Sequence, residues 1–365
     1  MKISLYKRAK TAYCIVGSNF GTWLSPLISA ILIIILRFVI LVGMFFDKII
    51  FRNIRGRKIN NPIVIVGNPR SGTTFLHRFL VNNNIGAGSQ LWQLLYPSVI
   101  VQKFIKPFLP ILERISPTRH HSTIAHKTSL QSVETDDASI FFRYLDGFFL
   151  YGFIMCWSKE NLFPWFDPKV RDVSSRDYKW LSKVWRSTLQ VSDNDRIVAK
   201  LFSVSANVPR FLEEFPDAKL LYMLRDPMNV IPSGLSLVTG VLDKRFGFWS
   251  LPERIRQNYI DNLYRGLVEL QERFYDDWIN DRIDKNNVMI IRFDRMMSDF
   301  DGLMEDINHF INYKASKKLV DEITLTAEQQ RSFKSKHTYN LEKFGISEAQ
   351  IREDCKNIYL LLNEE

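Results

Sequence analysis

The chain has 365 residues, which is enough for two domains or one large domain with a sizeable core. Apolar residues make up 46% of the sequence and charged residues 24%, a composition that excludes intrinsic disorder. The three cysteines lie far apart and form no C-x-x-C pair, so we expect neither a disulfide framework nor a metal site. The formal net charge of +10 indicates an anionic partner: nucleic acid, an anionic membrane or an acidic ligand.

The positive charge is concentrated near the N-terminus. Residues 1–60 contain ten Lys or Arg but one acidic residue, Asp47, and so carry +9 of the net charge. This charge flanks an apolar segment, which favours anionic lipid headgroups as the partner. We therefore expect a membrane partner and no nucleic acid.

The apolar segment runs from Trp23 to Phe46, with Arg37 as its single charge. At about 1.5 Å per residue it is long enough to cross the roughly 30 Å hydrocarbon core of a bilayer, so it predicts a transmembrane helix. One alternative is an interfacial anchor in the membrane plane, because Pro26 and Arg37 oppose a clean crossing. Another is a helix buried in a soluble core. Basic residues on both sides give a slight preference for a cytoplasmic C-terminal body.

Four short apolar runs in the rest of the chain predict buried strands, at residues 62–66, 196–201, 219–224 and 288–293. Helical patterns separate them, at residues 73–81, 206–214 and 252–279. The alternation predicts an α/β fold with a doubly wound, mostly parallel sheet flanked by helices.

The segment of residues 63–76 has the strand, glycine-rich turn and helix start of a phosphate-binding loop, where backbone N–H groups face an anion. Gly67 and Gly72 have the spacing of the nucleotide-binding consensus G-x-x-x-x-G-K-[ST], but Thr73 stands in the lysine position. Without that lysine, triphosphate hydrolysis is disfavoured, and Arg70 supplies positive charge inside the turn instead.

Two motifs resemble the sulfotransferase superfamily, in particular its bacterial and protein-tyrosine-type members. Pro69 to Leu76 is similar to the 5′-phosphosulfate loop P-[KR]-S-G-T-T-x-[LW], and Arg225-Asp226-Pro227 with Ser233 is similar to the second signature. The resemblance covers roughly residues 60 to 360. It implies a P-loop-like fold, 3′-phosphoadenosine 5′-phosphosulfate (PAPS) as co-substrate and no metal.

The resemblance also implies which residues hold the donor. The 5′-phosphosulfate loop supplies Pro69, Arg70, Ser71, Gly72, Thr73, Thr74 and Phe75; Arg225 and Ser233 hold the 3′-phosphate; Lys336 and His337 lie in a basic segment that either closes over the nucleotide or is a solvated turn. The implied organisation is a membrane anchor with a basic linker at residues 1–58 and a catalytic domain at residues 59–365.

In-line sulfuryl transfer requires charge stabilisation on the leaving phosphate and a base for the acceptor's proton. Arg70 is the candidate for the first role, and Lys200 for bridging donor and sulfuryl oxygens unless it is a plain surface lysine. Phe202 stands where soluble small-molecule members have a histidine. Other members use a glutamate, and residues 126–137 resemble the acidic stretch of bacterial relatives. The resemblance thus implies Glu134 as the leading candidate base, with His126 and Asp137 behind it, although helix capping is an alternative role for Glu134.

Aromatic residues are dense between positions 104 and 166, in the segment most suited to an acceptor pocket. Together with the anchor, they favour a hydroxyl of a lipid, lipid-linked or glycan molecule as the acceptor. An amine acceptor is less favoured. The alternatives are a P-loop nucleotide or small-molecule kinase and a non-catalytic, membrane-anchored nucleotide-binding protein. The oligomeric state stays open.

Overall fold

The computed structural model describes residues 1–116, 128–332 and 340–363. The chain forms two compact units. Unit 1 comprises Met1–Ile59, Ala87–Asp195 and Leu237–Gly266, and unit 2 comprises Asn60–Gly86, Arg196–Ser236 and Leu267–Glu365.

The strands are Ile63–Val66 (β1), Val198–Lys200 (β2), Lys219–Leu224 (β3) and Val288–Arg292 (β4). The α-helices are Leu5–Phe20 (α1), Leu24–Ile50 (α2), Thr73–Asn82 (α3), Leu91–Leu95 (α4), Val99–Ile105 (α5), Leu109–Ile115 (α6), Asp137–Tyr144 (α7), Phe148–Phe153 (α8), Ser174–Val191 (α9), Val208–Glu214 (α10), Pro227–Phe246 (α11), Glu253–Ile279 (α12), Phe293–Ser298 (α13), Phe300–Phe310 (α14), Lys317–Ser332 (α15), Glu348–Asp354 (α16) and Lys356–Asn363 (α17).

The four strands form one sheet in unit 2, in the order β2-β1-β3-β4, and every neighbouring pair is parallel. All four residues of β1 are buried, as expected for an apolar strand covered on both faces. The predicted doubly wound parallel sheet is confirmed, and each strand end lies within two residues of its predicted position. Because the strands are parallel, the residues that follow β1, β2, β3 and β4 lie at one edge of the sheet.

A hydrophobic cluster joins the sheet of unit 2 to α3 and to the helices after β4. It includes Ile63 and Leu221 from the sheet, Leu76 from α3, and Phe300 and Ile307 from α14. Each such side chain contributes about 1.5–3 kcal/mol when fully buried. The cluster thus fixes the start of α3 beside the end of β1, where the predicted phosphate-binding loop lies.

Unit 1 is helical, and one face of α1 packs against the rest of it. Arg8 of α1 is buried, and its guanidinium lies 3.4 Å from the Asp146 carboxylate, which also pairs with Arg171 and Arg176 at 2.6 and 2.9 Å. Burial acts to raise the pKa of Asp146, but the three guanidinium groups hold it below its ordinary value. A buried carboxylate of this kind needs its partners, so α1 is tied to the body of unit 1.

Helix α2 is, within the described ranges, the one helix long and apolar enough to cross a membrane. It is four residues longer at its C-terminal end than the apolar run that predicted it. Ile40 packs in a cluster with Leu94, Trp180 and Val184 of the same unit. The expected N-terminal apolar helix is therefore present, and one of its faces contacts protein.

Candidate functional site

The loop between β1 and α3 has a backbone that requires glycine at both ends. Gly67 and Gly72 have φ angles of 118° and 92°, in the region that favours glycine. A Cβ on Gly67 would lie 2.6 Å from the Met223 carbonyl oxygen, and a Cβ on Gly72 would lie 2.6 Å from Met296 Cε. The two glycines let β3 and α13 approach the loop closely.

The turn leaves backbone donors uncommitted at the start of α3. In the described part of the chain, the N–H groups of Gly72, Thr73 and Thr74 donate to no protein acceptor, whereas that of Phe75 bonds the Gly72 carbonyl. A helix N-terminus with such donors and its positive dipole end binds anions. The loop therefore has the geometry of an anion site.

Arg70 links the two predicted signatures. Its φ of 78° is left-handed, which costs a non-glycine residue on the order of 1–2 kcal/mol. Its Nε donates to Ser233 Oγ at 2.9 Å, and its carbonyl accepts from Arg225 Nη1 at 2.8 Å. The Arg225 guanidinium lies 3.9 Å from the ring centroid of Phe293, which stacks against it. The structure thus brings Arg70, Arg225 and Ser233 together.

The R-D-P motif also folds as its residue types predict. Asp226 Oδ1 accepts from the backbone N–H of Met228 at 2.8 Å, and α11 begins at Pro227, so the predicted N-cap is confirmed. The same oxygen accepts from the hydroxyl of Tyr359 in α17 at 3.0 Å. This cap fixes the first turns of α11, from which the buried Ser233 meets Arg70.

Lys200 ends β2 and is 6% exposed, so it is not a plain surface lysine. Its Nζ donates to Thr74 Oγ1 at 2.9 Å, which places an ammonium group at the start of α3. The loop, Lys200, Arg225 and Ser233 therefore form one cluster in unit 2.

His77 lies beside this cluster, and no sequence motif marks it. It is fully buried in α3, and its Nε2 lies 3.1 Å from the Val198 carbonyl oxygen. Since a carbonyl only accepts, Nε2 carries the proton. Burial, and next the charge of Lys200, lower the pKa of His77 to about 3, so the ring is neutral. One signal in the sequence was available: His77 lies four residues after Thr73 in an amphipathic helix, and residues at that spacing lie on the same face.

Asn68 and Gln271 are two further buried polar residues in unit 2 that were not predicted from the sequence. Asn68 donates from Nδ2 to the Leu267 carbonyl at 2.8 Å, while its Oδ1 has no partner among the described residues. Gln271 of α12 is 3% exposed, and neither of its amide atoms has a partner there. Both residues line a small cavity with Ser71 and Arg225. Nothing in the sequence around Gln271 marks it.

Glu134 belongs to unit 1, where it is 6% exposed and its backbone N–H donates to the Ser89 carbonyl at 3.3 Å. It does not occupy the N-cap of α7, which is Asp136. Asp137 starts α7 and accepts from Thr135 Oγ1 at 2.7 Å. The remaining candidates, His126, Lys336 and His337, lie outside the described residues.

Known proteins match both the sequence and the fold. The model of the sulfotransferase family matches residues 62–316, more than half of the chain. Relatives from Mycobacterium bovis (strain ATCC BAA-935 / AF2122/97) and Mycobacterium tuberculosis (strain CDC 1551 / Oshkosh) are each named omega-hydroxy-beta-dihydromenaquinone-9 sulfotransferase Stf3. Each is 25% identical over 356 residues, covering 86% of this chain and 86% of the relative.

Two solved structures share the fold. Sulfotransferase STF1 from Mycobacterium tuberculosis H37Rv matches with a TM-score of 0.72 and 17% identity, over 96% of this chain and 90% of that one. Sulfotransferase STF9 from Mycobacterium avium matches with a TM-score of 0.69 and 14% identity, over 88% of this chain and 82% of that one. The predicted superfamily is therefore confirmed: the chain is an enzyme that belongs to the sulfotransferase family.

Proposed function

We propose that this sulfotransferase takes its sulfuryl group from PAPS and transfers it to a hydroxyl of a lipid or lipid-linked acceptor. The observation that carries the donor assignment is the cluster in unit 2. It offers the uncommitted N–H groups at the start of α3 and, joined to them through Arg70, the side chains of Arg225 and Ser233. These are two places for anionic groups, as a nucleotide with a 5′-phosphosulfate and a separate 3′-phosphate requires.

The hydrogen-bond donors of this cluster fit PAPS in charge as well as in the number of anion sites that they form. Lysine, arginine, hydroxyl and backbone N–H groups all donate hydrogen bonds and suit phosphate or sulfate oxygens. When bound, PAPS would supply an activated sulfuryl group on a phosphate leaving group. Gly72, Thr73 and Thr74 would hold the 5′ side, Arg225 and Ser233 the 3′-phosphate, and Arg70 and Lys200 would face the negative charge that develops.

Glu134 remains the proposed base that accepts the proton of the acceptor hydroxyl. A general base needs a carboxylate or imidazole within hydrogen-bond reach of that proton. The buried position of Glu134, together with its place ahead of the cap of α7, supports a role other than capping.

The lipid character of the acceptor has two supports. Two relatives are named for an omega-hydroxylated menaquinone, and the chain has a long exposed apolar helix, α2. A polar acceptor that diffuses freely in water would account neither for the lipid in the relatives' names nor for an exposed apolar helix. We therefore propose a hydroxyl on a membrane-resident molecule as the acceptor.

The donor is tested by calorimetric titration of the full chain with 3′-phosphoadenosine 5′-phosphate and, separately, with ATP and magnesium. We expect the bisphosphate to bind at least about ten-fold more tightly, a difference of about 1.4 kcal/mol. Tighter binding of ATP would overturn the donor assignment.

The acceptor is tested by incubating the chain with ³⁵S-labelled PAPS and separate lipid, glycan and small-molecule fractions. Label confined to the glycan or small-molecule fraction would overturn the lipid assignment alone.

A further inference from the structure

Helix α2 presents an apolar surface to the outside of unit 1. Six of its apolar residues, Leu24, Leu32, Ile34, Phe38, Phe45 and Ile50, are between 59% and 68% exposed. Exposed apolar patches far larger than a few hundred Å² are rare on soluble monomers and mark interaction sites. We call this outward face of α2 the apolar face.

Helix α2 is held on unit 1 at its C-terminal end, and α1, which precedes it, packs on the same unit. Just before the helix, Phe20 packs against Trp157 and Phe246, with ring centroids 4.9 and 4.7 Å away. At the far end, the Asp47 carboxylate accepts from the backbone N–H groups of Val99 and Ile100, both at 2.9 Å.

The middle of α2 is held as well. Arg37 donates from Nε to the Phe142 carbonyl at 2.8 Å, so the single charge of the apolar run is committed to the protein. Ile40 is 5% exposed in the cluster with Trp180. Contact with the body of unit 1 thus follows the helix through its second half.

These contacts leave too little free helix to cross a bilayer. The first of the contacts along the helix are those of Leu36, which packs against the Ile40 cluster, and Arg37, so residues 24–35 precede them, and twelve residues span roughly 18 Å against the roughly 30 Å hydrocarbon core. A full crossing that begins at Leu24 would need about 20 residues and would take Arg37, with the Phe142 carbonyl that it bonds, into hydrocarbon, where such polar groups are costly.

Basic residues border the C-terminal end of the apolar face. Lys48, Arg52, Arg55 and Lys58 are exposed, and residues 1–60 carry +9 of the net charge of +10. Arg52 and Arg57 also line an open pocket of 420 Å³ with Asn53, Gly56 and Gln190. Apolar residues in the acyl region with Lys and Arg at headgroup level are the arrangement of interfacial helices that bind anionic membranes.

We propose that unit 1 docks on an anionic bilayer with α2 lying in the plane of the interface, and that the pocket bordered by Arg52 and Arg57 takes a phospholipid phosphate. The chain is thus anchored from one side of the membrane and does not span it. The proposal does not depend on the donor or acceptor assigned above, because every contact it uses lies in unit 1.

Flotation of the full chain with vesicles tests the docking. We expect binding to vesicles of 70% phosphatidylcholine and 30% phosphatidylglycerol that is at least ten-fold tighter than to pure phosphatidylcholine. The double variant Arg52→Glu/Arg57→Glu is expected to lose at least ten-fold on the anionic vesicles. The matched control Lys317→Glu/Lys318→Glu changes the same charge at exposed positions of α15 in unit 2 and is expected to bind like the unchanged chain.

Labelling from outside sealed vesicles tests the orientation of α2. In a chain with Cys14→Ser, the separate substitutions Thr22→Cys and Lys48→Cys mark the two ends of the helix. A membrane-impermeant maleimide is expected to react at both positions of the vesicle-bound chain. Protection of one end would overturn the in-plane orientation. Binding of the Arg52→Glu/Arg57→Glu variant equal to that of the unchanged chain would overturn the headgroup site, and a dimer that does not bind vesicles would overturn docking on lipid.

Discussion

At the scale of single residues, Arg70, Arg225 and Ser233 form a chain of contacts that joins the two signature motifs. Arg225 bonds the carbonyl of Arg70, and Arg70 bonds the hydroxyl of Ser233. The left-handed backbone of Arg70 is held in place by these partners, so the strain is compensated locally. Loss of one member is therefore expected to disturb the others.

We predict that Arg70→Ala and Arg225→Ala each weaken binding of 3′-phosphoadenosine 5′-phosphate by about 10- to 150-fold. A hydrogen bond to a charged group is worth about 1.5–3 kcal/mol. Arg70→Lys keeps the charge and is expected to bind within a few-fold of the unchanged chain, as is Lys285→Ala, an exposed residue in unit 2. Calorimetric titration measures the affinities, and undiminished binding by Arg225→Ala would remove it from the donor site.

We predict that Glu134→Gln keeps donor binding and lowers turnover by about 10²–10⁴-fold, the usual contribution of a general base. The amide keeps the size of the side chain but cannot accept the acceptor's proton. Titration and a ³⁵S transfer assay measure the two properties separately, with Glu160→Gln, an exposed residue of unit 1, as control. Turnover equal to that of the unchanged chain would contradict the role of Glu134 as base.

We predict that His77 makes stability depend on pH. The pKa of His77 is about 3 in the folded chain against an ordinary 6.5, so below pH 6.5 the unfolded chain takes up a proton that the folded chain refuses. The stabilising contribution is complete above pH 6.5 and is lost as pH falls. Between pH 7.5 and 5.5 this single group lowers the free energy of unfolding by about 1.4 kcal/mol.

The variant His77→Gln isolates this contribution, since the glutamine amide can still donate to the Val198 carbonyl. Urea unfolding at pH 7.5 and 5.5 is expected to show a loss about 1.4 kcal/mol smaller in His77→Gln than in the unchanged chain. His309→Gln, an exposed histidine in α14, should leave the pH dependence as it is. If His77→Gln lost as much unfolding free energy between pH 7.5 and 5.5 as the unchanged chain, His77 would be protonated in the folded chain.

At the scale of elements, α2 and α5 depend on each other through one carboxylate. Asp47 lies in the last turns of α2 and is 3% exposed, and it caps the first two backbone donors of α5. The apolar run that predicts this helix stops before Asp47 because a charge normally ends a membrane segment. Here the charge instead accepts hydrogen bonds from the first backbone donors of α5, and α2 continues past it to Ile50.

We predict that Asp47→Ala lowers the free energy of unfolding by about 1–2 kcal/mol, because it removes a cap from the N-terminus of α5 and leaves buried N–H groups without an acceptor. Urea unfolding in detergent measures the change. Asp47→Asn is expected to lose less, since its amide oxygen can still accept, and the exposed neighbour Lys48→Ala to lose little. A stability unchanged in Asp47→Ala would show that the cap does not hold α5.

At the scale of the whole molecule, the N-terminal segment is built into unit 1. Arg8 completes the cluster around Asp146, Ile40 fills a hydrophobic cluster, and Asp47 caps α5. The sequence predicts a boundary at residue 58 between a membrane anchor and a catalytic domain, and truncation tests it.

We predict that a chain beginning at residue 59 aggregates. Removal of residues 1–58 takes Ile40 away from Leu94, Trp180 and Val184 and so exposes these apolar side chains, and it leaves Asp146 with two of its three guanidinium partners. Analytical size exclusion of residues 59–365 in detergent checks this, with the full chain in the same detergent as the control. A monodisperse, cooperatively folding fragment would instead support the boundary at residue 58.

The sequence by itself determined the parallel sheet, the glycine-rich loop after β1, the R-D-P cap and the family, because each rests on local patterns: β-branched runs, glycine spacing and capping residues. Tertiary structure decided what depends on neighbours distant in sequence. It gave Lys200 its partner Thr74, placed Phe293 against Arg225 and made His77 neutral by burial. It also gave α2 a protein-bound face. Hydropathy measures the affinity of a segment for hydrocarbon, whereas contacts with the rest of the fold determine how much of that segment remains for the membrane.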